Sequence, residues 1–291
     1  MTNPNPMTSQ RDPGAGEVIL VDEPAPMVRR ITMNRPEKRN SLIHPLRGAI
    51  LSTLRDHDQD PDVRVTIIRG AGPSFSAGYD LGEGNAGYEM PYYTPGGEGS
   101  WPRHVTEGWM SIWDLAKPVI AQVHGYCLAG ASELATGCDL VYMAEDAQMG
   151  YPAVRFGVPD MHFHAWFLGM RKAMEMMITG NSISGIEAVE LGWANAAFPI
   201  EELDDRVLEI ASKIAQIPTE LVQLNKRVVH RQMDIMGLRA GIRAGTELCA
   251  LGTHTQTMRD FIGNARAKGL TRALQERDAP FGDYRTTMHE E

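Results

Sequence analysis

The sequence has few cysteines and no long apolar run. Its three cysteines, Cys127, Cys138 and Cys249, are an odd number with no metal-like spacing, which is typical of the reducing cytoplasm rather than of a disulfide scaffold. No apolar run reaches the roughly 18 residues that a membrane helix needs, so we expect no contact with a membrane. Residues 1–16 lack the basic and apolar blocks of a signal peptide and are predicted to form a flexible tail.

The charge balance is acidic. The formal net charge of −9 argues against nucleic acid or an anionic membrane as the main partner. With 43% hydrophobic residues among 291, the chain can bury a sizeable core.

Strands and helices alternate in the first half of the chain. The runs "EVILVD" and "VRRITM" predict a hairpin-like pair. In the segment that follows, Leu46, Ile50 and Leu54 lie at helical spacing. Further strands are predicted in "VRVTIIRG", "KPVIAQVHG" and "CDLVYMAE". This alternation predicts an α/β fold with a mostly parallel sheet, whereas the pattern from Ala165 onward is almost entirely helical.

Two glycine- and alanine-rich stretches follow predicted strands. They are "PSFSAGYDLG" and "GYCLAGASELATG". Small residues at a strand-to-helix corner let a ligand approach the backbone, and a helix start offers free N–H groups. Two such corners could form an oxyanion hole, or they could simply allow tight helix packing.

Four stretches, in this order, resemble the crotonase family, the enoyl-CoA hydratase/isomerase superfamily. They are "ITMNRPEKRNSL", "PSFSAGYDL", the central run that begins "KPVIAQVHGYCLAGASELATGCDL", and "EMMITGNSISGIEAVELGWANAAFP". The resemblance extends from about Val18 to about Ala267. It implies a core of repeated ββα units over residues 17–200, followed by a helical region over residues 201–291 that forms trimers, often as a dimer of trimers.

The resemblance also implies a cytoplasmic enzyme that acts on an acyl-CoA thioester. Coenzyme A is then part of the substrate, and neither a separate cofactor nor a metal is expected. The backbone N–H groups of Tyr79 and Gly130 would hold the thioester oxygen as an enolate-like state develops. The residues that would line the path of the coenzyme are Ala77, Asp80 and Leu81, with Lys38 and Arg39, although these two basic residues could equally form a solvated surface.

Glu133 matches the first of the two glutamates that the family's hydratases use. One carboxylate activates water and the other handles the proton at the α-carbon. Glu133 could instead merely favour the positive end of its helix. The second glutamate matches Ala153, which cannot transfer a proton. A standard two-carboxylate hydration is therefore expected to be impaired.

The glycine-rich turn that follows in the family is replaced here by Asp160, His162 and His164. These residues could carry relocated acid–base chemistry, or Asp160 could cap a helix and the histidines could be packed or exposed. The alternatives to hydration are therefore double-bond isomerisation, C–C bond hydrolysis that uses Glu133 with one of these residues, or binding of a CoA ester without turnover.

The segment 82–105 is rich in glycine, proline and aromatic residues, which predicts a long functional or disordered loop. Its aromatic residues could form a lid over an acyl pocket or anchor the loop; they are Tyr88, Tyr92, Tyr93 and Trp101. We expect Met149, Met161 and Met170 to be core residues.

Overall fold

The computed structural model describes residues 17–82, 84–157 and 163–282. Two sheets form its strand layer. The strands are β1 (Ile19–Ala25), β2 (Val28–Met33), β3 (Val65–Gly70), β4 (Val119–Val123), β5 (Tyr126–Leu128), β6 (Leu140–Ala144), β7 (Gln148–Gly150), β8 (Ile183–Ser184) and β9 (Ala196–Phe198). The six-stranded sheet has the order β1-β2-β3-β4-β6-β9, and the small sheet has the order β5-β7-β8.

The predicted hairpin and parallel sheet are both present. β1 and β2 pair antiparallel, and every further pair of the large sheet is parallel. Val65, Ile67 and Ile68 of β3 are fully or almost fully buried, as expected for a central strand of a parallel sheet that is covered on both faces.

Helices pack on the strands and make up the chain after β9. They are α1 (His44–Gln59), α2 (Ser100–Met110), α3 (Gly130–Gly137), α4 (His164–Thr179), α5 (Gly185–Glu190), α6 (Ile200–Ile214), α7 (Thr219–Ile235), α8 (Leu238–Gly252), α9 (Gln256–Lys268) and α10 (Leu270–Asp278). Leu46, Ile50 and Leu54 are buried on one face of α1, as their spacing predicted. Among the described residues, no helix combines the length and the apolar character that are needed to cross a bilayer.

Two sequence expectations differ from the structure. The glycine-rich loop ends at Gly99, because Ser100 begins α2, so Trp101 is a helical residue. Met149 is buried but Met170 is 69% exposed, because it lies on the outer face of α4; its assignment to the core was wrong. Met161 lies outside the described residues.

A buried lysine links the C-terminal helices to the sheet through hydrogen bonds. The Lys226 ammonium group, on α7, donates to the carbonyl oxygens of Ile112 and Lys117 at 3.0 and 3.1 Å and to Asp139 Oδ2 at 2.8 Å. Asp139 also accepts from His230 Nε2 at 3.0 Å. The side chains of Lys226 and Asp139 are only 5% and 11% exposed, so water screens this pair poorly.

We therefore predict that Lys226→Met destabilises the fold by about 3 kcal/mol, since it leaves a buried carboxylate without its cation. Lys213→Met is the matched control, because Lys213 is 72% exposed and pairs with Glu209 in water. Urea unfolding of the three proteins measures the effect. Equal midpoints for Lys226→Met and the wild type would contradict the assigned role.

Candidate active site

The two glycine- and alanine-rich corners, the first at residues 73–82 and the second at residues 125–137, lie side by side. Ser76 N donates to Tyr126 O at 2.9 Å, and Leu128 N donates to Ser76 O at 3.2 Å. Gly78 has φ +96°, and a Cβ atom there would lie 2.6 Å from Leu128 O and 3.4 Å from Gly130 N. Only glycine combines this backbone angle with so close an approach. The first corner is therefore packed directly against the start of α3.

Both predicted amide donors are available at this contact. Leu42 pairs with the first corner through the carbonyl of Gly78 and the amide of Asp80, which leaves the amide of Tyr79 between them unused. Gly130 is the first residue of α3, and the first amides of a helix have no intrahelical acceptor. Across the described residues, neither N–H donates to a protein acceptor. The pair has the composition of an oxyanion hole.

Glu133 lies one turn into α3 and is completely buried. Its Oε2 atom accepts a hydrogen bond from the Tyr79 hydroxyl at 2.5 Å, and Oε1 accepts from the Tyr151 hydroxyl at 2.6 Å. Both distances are in the short range of O–H···O⁻ bonds. The two phenols replace much of the solvation that the carboxyl group loses on burial, so Glu133 does more than complement the helix dipole.

The Tyr79 side chain connects Glu133 to the amide pair. A Cβ atom at Gly130 would lie only 2.3 Å from the Tyr79 ring, so this ring packs directly on the glycine. The Tyr79 hydroxyl also accepts from Trp109 Nε1 at 2.9 Å. Burial, and then the charge of Glu133, raise the pKa of Tyr79 well above its ordinary value. The phenol therefore remains protonated near neutral pH and acts as a donor.

A basic cluster lies behind the same aromatic side chains. Arg47 is 1% exposed, and its Cζ atom lies 5.5 Å from the Tyr79 ring centre and 5.4 Å from the Trp109 ring centre. Its Nη1 atom lies 2.8 Å from His104 Nε2. Burial and the neighbouring Arg47 lower the pKa of His104 to about 3. His44, which contacts the His104 ring edge-on at 5.6 Å, also has a pKa lowered by burial.

Ala153 lies near the carboxylate but contributes no acid. Ala129 N, just before α3, donates to Gly150 O at 2.8 Å, which brings the segment after β7 to this corner. Tyr151 points its hydroxyl at Glu133, while Ala153 is 7% exposed and packs in a small apolar cluster with Tyr151 and Phe156. A phenol from this segment thus reaches the carboxylate.

The replaced turn is described only in part. Asp160 and His162 lie outside the described residues. His164 is fully buried, and its Nε2 atom lies 2.9 Å from Ser132 Oγ. Because Ser132 Oγ donates to Ala129 O, His164 Nε2 is the donor in this pair. Its ring also contacts Tyr151 edge-on at 5.7 Å, so His164 supports the residues around Glu133.

The predicted coenzyme-path residues lie around the first corner. Lys38 is exposed, whereas Arg39 is half-buried with its guanidinium 5.6 Å from the Tyr126 ring. Ala77 N donates to Arg39 O at 2.9 Å. Asp80 accepts from Ser41 Oγ at 2.9 Å and from Gly82 N at 2.9 Å, which fixes the shape of the loop, and Leu81 is 46% exposed.

The aromatic residues of the glycine-rich segment divide into two groups. Trp101 contacts the Tyr79 ring edge-on at 4.9 Å and therefore belongs to the site. Tyr93 is 81% exposed and Tyr88 is 43% exposed. Tyr92 is half-buried and packs near Gly108 of α2.

Four functional side chains were not predicted from the sequence: Arg47, Trp109, Tyr151 and the hydroxyl of Tyr79. The sequence did contain a signal for the Tyr79 hydroxyl, which is the tyrosine of "SAGYDL". A hydroxyl-bearing side chain beside an oxyanion amide can reach the substrate. Within the described parts of the chain, no three His, Cys, Asp or Glu side chains converge on a possible metal position.

Comparison with known proteins identifies the family. The sequence profile described as Enoyl-CoA hydratase/isomerase matches residues 25–284. The Mycobacterium tuberculosis protein EchA13, assigned by name to the enoyl-CoA hydratases, is 33% identical over 237 residues, which are 74% of each chain.

Solved structures show the same architecture. An enoyl-CoA hydratase from Mycobacterium smegmatis superposes with a TM-score of 0.83 at 29% identity, over 93% of this chain and 96% of the other. An enoyl-CoA hydratase/isomerase from Xanthobacter autotrophicus Py2 gives a TM-score of 0.82 at 33% identity, over 92% and 99% of the two chains. The predicted crotonase fold is confirmed, and the chain belongs to the enoyl-CoA hydratase/isomerase family.

Proposed function

We propose that this protein is an acyl-CoA enzyme that stabilises a thioester enolate between the amides of Tyr79 and Gly130. Glu133 is the carboxylate that moves protons. The observation that carries the proposal is a buried carboxylate held by two phenols beside two amides that have no acceptor in the part of the chain that the structure describes. The reaction moves only protons and water, so it needs no resident cofactor. Because all three cysteines are buried free thiols, we also infer a reducing, cytoplasmic setting.

In the hydration of a 2-enoyl-CoA, Glu133 takes a proton from water while the oxygen attacks the β-carbon. The C=C electron pair moves onto the thioester oxygen, where two N–H groups stabilise the enolate. The Tyr79 phenol then gives its proton to the α-carbon. The proton that Glu133 gained returns to Tyr79 along their hydrogen bond of 2.5 Å, which restores the site.

The Tyr79 phenol thus stands in for the acid that Ala153 does not supply. A phenol with a raised pKa is a weaker acid than a carboxylic acid, so hydration of crotonyl-CoA is expected to be slower than in a hydratase with two glutamates. If hydration is undetectable but CoA esters bind and another acyl-CoA reaction proceeds, the same residues serve isomerisation or C–C cleavage through the same enolate.

Substitutions at Glu133 and Tyr79 test the proposal. Glu133→Gln keeps the volume and is expected to lower kcat on the best substrate of an acyl-CoA panel by at least about 10³-fold. Tyr79→Phe is expected to lower kcat by about 10²-fold. Tyr151→Phe is the matched control, because it removes the same kind of bond to the same carboxylate without touching Gly130, and it should cost less than Tyr79→Phe.

Product analysis by mass spectrometry on the panel supplies the rates. A Glu133→Gln enzyme with wild-type turnover would refute the proposed role of the carboxylate. Equal losses in Tyr79→Phe and Tyr151→Phe would show that Tyr79 only positions Glu133.

We also propose that the C-terminal helices join copies of this chain into a trimer or a dimer of trimers. Several apolar side chains of α7 and α8 face solvent in the single chain. They include Leu224, Val228, Val229, Ile235 and Leu251, each at least 57% exposed. Clustered apolar surface of this kind marks an association interface.

The wild type should therefore sediment as a trimer or hexamer. The double substitution Leu224→Glu and Val228→Glu places two charges one helical turn apart on α7, and it should shift the protein toward monomers. Ile186→Glu, at a 51% exposed apolar residue of α5, controls for added surface charge. Analytical ultracentrifugation that finds a monomeric wild type at micromolar concentration would disprove the assembly.

A further inference from the structure

The cluster around Arg47 contains an uncompensated buried charge. A guanidinium group cannot be deprotonated in a protein, and Arg47 is 1% exposed. Among the described residues, the Arg47 side chain has one hydrogen-bond partner, His104, whose pKa of about 3 keeps it neutral at physiological pH. Among the described residues, no carboxylate forms an ion pair with Arg47, and its Nε and Nη2 atoms have no hydrogen-bond partner.

The aromatic neighbours offset only part of this cost. Arg47 has two cation–π contacts, with the rings of Tyr79 and Trp109. Burying an ion without a counterion is unfavourable, and each unsatisfied buried donor adds to that cost. Glu133 attracts Arg47 through space, but two phenols already occupy its oxygens. Two adjacent N–H groups of a planar guanidinium match one carboxylate.

The Tyr79 ring connects the N–H groups of Arg47 to the place where the acyl group is proposed to bind. The same Tyr79 ring contacts Gly130, whose amide is the proposed oxyanion donor, and Arg47. A thioester held by the Gly130 amide would therefore lie against the Tyr79 ring, and the guanidinium lies 5.5 Å from the centre of that ring. An acyl chain that follows the ring from the amide to the guanidinium is short.

We propose that Arg47 binds a carboxylate at the far end of the acyl chain, so that the preferred substrates are CoA monothioesters of short dicarboxylic acids. The inference rests on the proposed function, since it runs the acyl group along the Tyr79 ring from Gly130 toward Arg47. His44 belongs to the same recognition site, because its ring contacts His104 and, among the described residues, its buried Nε2 atom has no hydrogen-bond partner.

Access to Arg47 requires a small rearrangement. Trp101 is half-buried and contacts both Tyr79 and His104 edge-on, at 4.9 and 6.0 Å. Opening this path separates one aromatic pair. A carboxylate that reaches Arg47 accepts two charge-assisted hydrogen bonds and gives the buried guanidinium a counterion.

Calorimetric titration of the wild type with matched thioesters tests the inference without needing turnover. The pairs are succinyl-CoA with butyryl-CoA and glutaryl-CoA with valeryl-CoA, which share chain length and differ in a terminal carboxylate. We expect at least one diacid ester to bind about 10-fold or more tightly than its partner. Arg47→Met should abolish that preference.

Arg55→Met is the matched control, because it removes the same charge from an exposed position of the same helix, and it should keep the preference. Equal binding within both wild-type pairs, or a preference that survives in Arg47→Met, would overturn the inference while leaving the proposed function intact. Failure of all four esters to bind would instead overturn the proposed function. If Arg47→Met does not fold, the wild-type pairs still decide, because a chain that favours the uncharged esters has no carboxylate site.

Discussion

The site depends on burying one carboxylate. Transfer of an ionised carboxyl group from water into the interior costs several kcal/mol unless donors replace the lost solvation. Glu133 obtains those donors from two tyrosines that are far apart in sequence, Tyr79 at the first corner and Tyr151 after β7. Both segments, together with Trp109 of α2, must therefore be held against α3. A single electrostatic requirement thus fixes the relative positions of the parts of the chain that form the proposed active site.

Close backbone packing makes this arrangement geometrically possible. At Gly78 any side chain would collide with the backbone of the second corner, and at Gly130 it would displace the Tyr79 ring. The small residues therefore serve two purposes that the sequence offered as alternatives, since they allow tight packing and leave two amides without an acceptor among the described residues. The large aromatic residues occupy the space that the small ones leave. As a result, the Tyr79 hydroxyl lies beside the amide pair rather than in solvent.

Local pattern predicted the framework well, because hydrophobic periodicity and corner residues are local properties. The hairpin, the parallel strands and α1 all follow from short stretches. The contacts of Glu133 could not be predicted in this way, because they join residues 18 to 54 positions apart. Arg47 lies in a segment whose pattern predicts only a helix, and its burial depends on α2 and the aromatic side chains packed over it. Met170 shows that composition alone does not predict burial. A methionine in an apolar helix does not indicate which face of that helix is exposed to solvent.

The proposed roles of Glu133 and Tyr79 require that the amides of Tyr79 and Gly130 form one oxyanion hole beside the carboxylate. A crystal structure of the protein with a saturated acyl-CoA, which cannot be hydrated, tests it most directly. We predict that the thioester carbonyl oxygen lies within about 3.2 Å of both amide nitrogens, with the β-carbon facing the Glu133 carboxylate and the Tyr79 hydroxyl. A bound ester whose carbonyl oxygen lies away from both nitrogens would contradict the account.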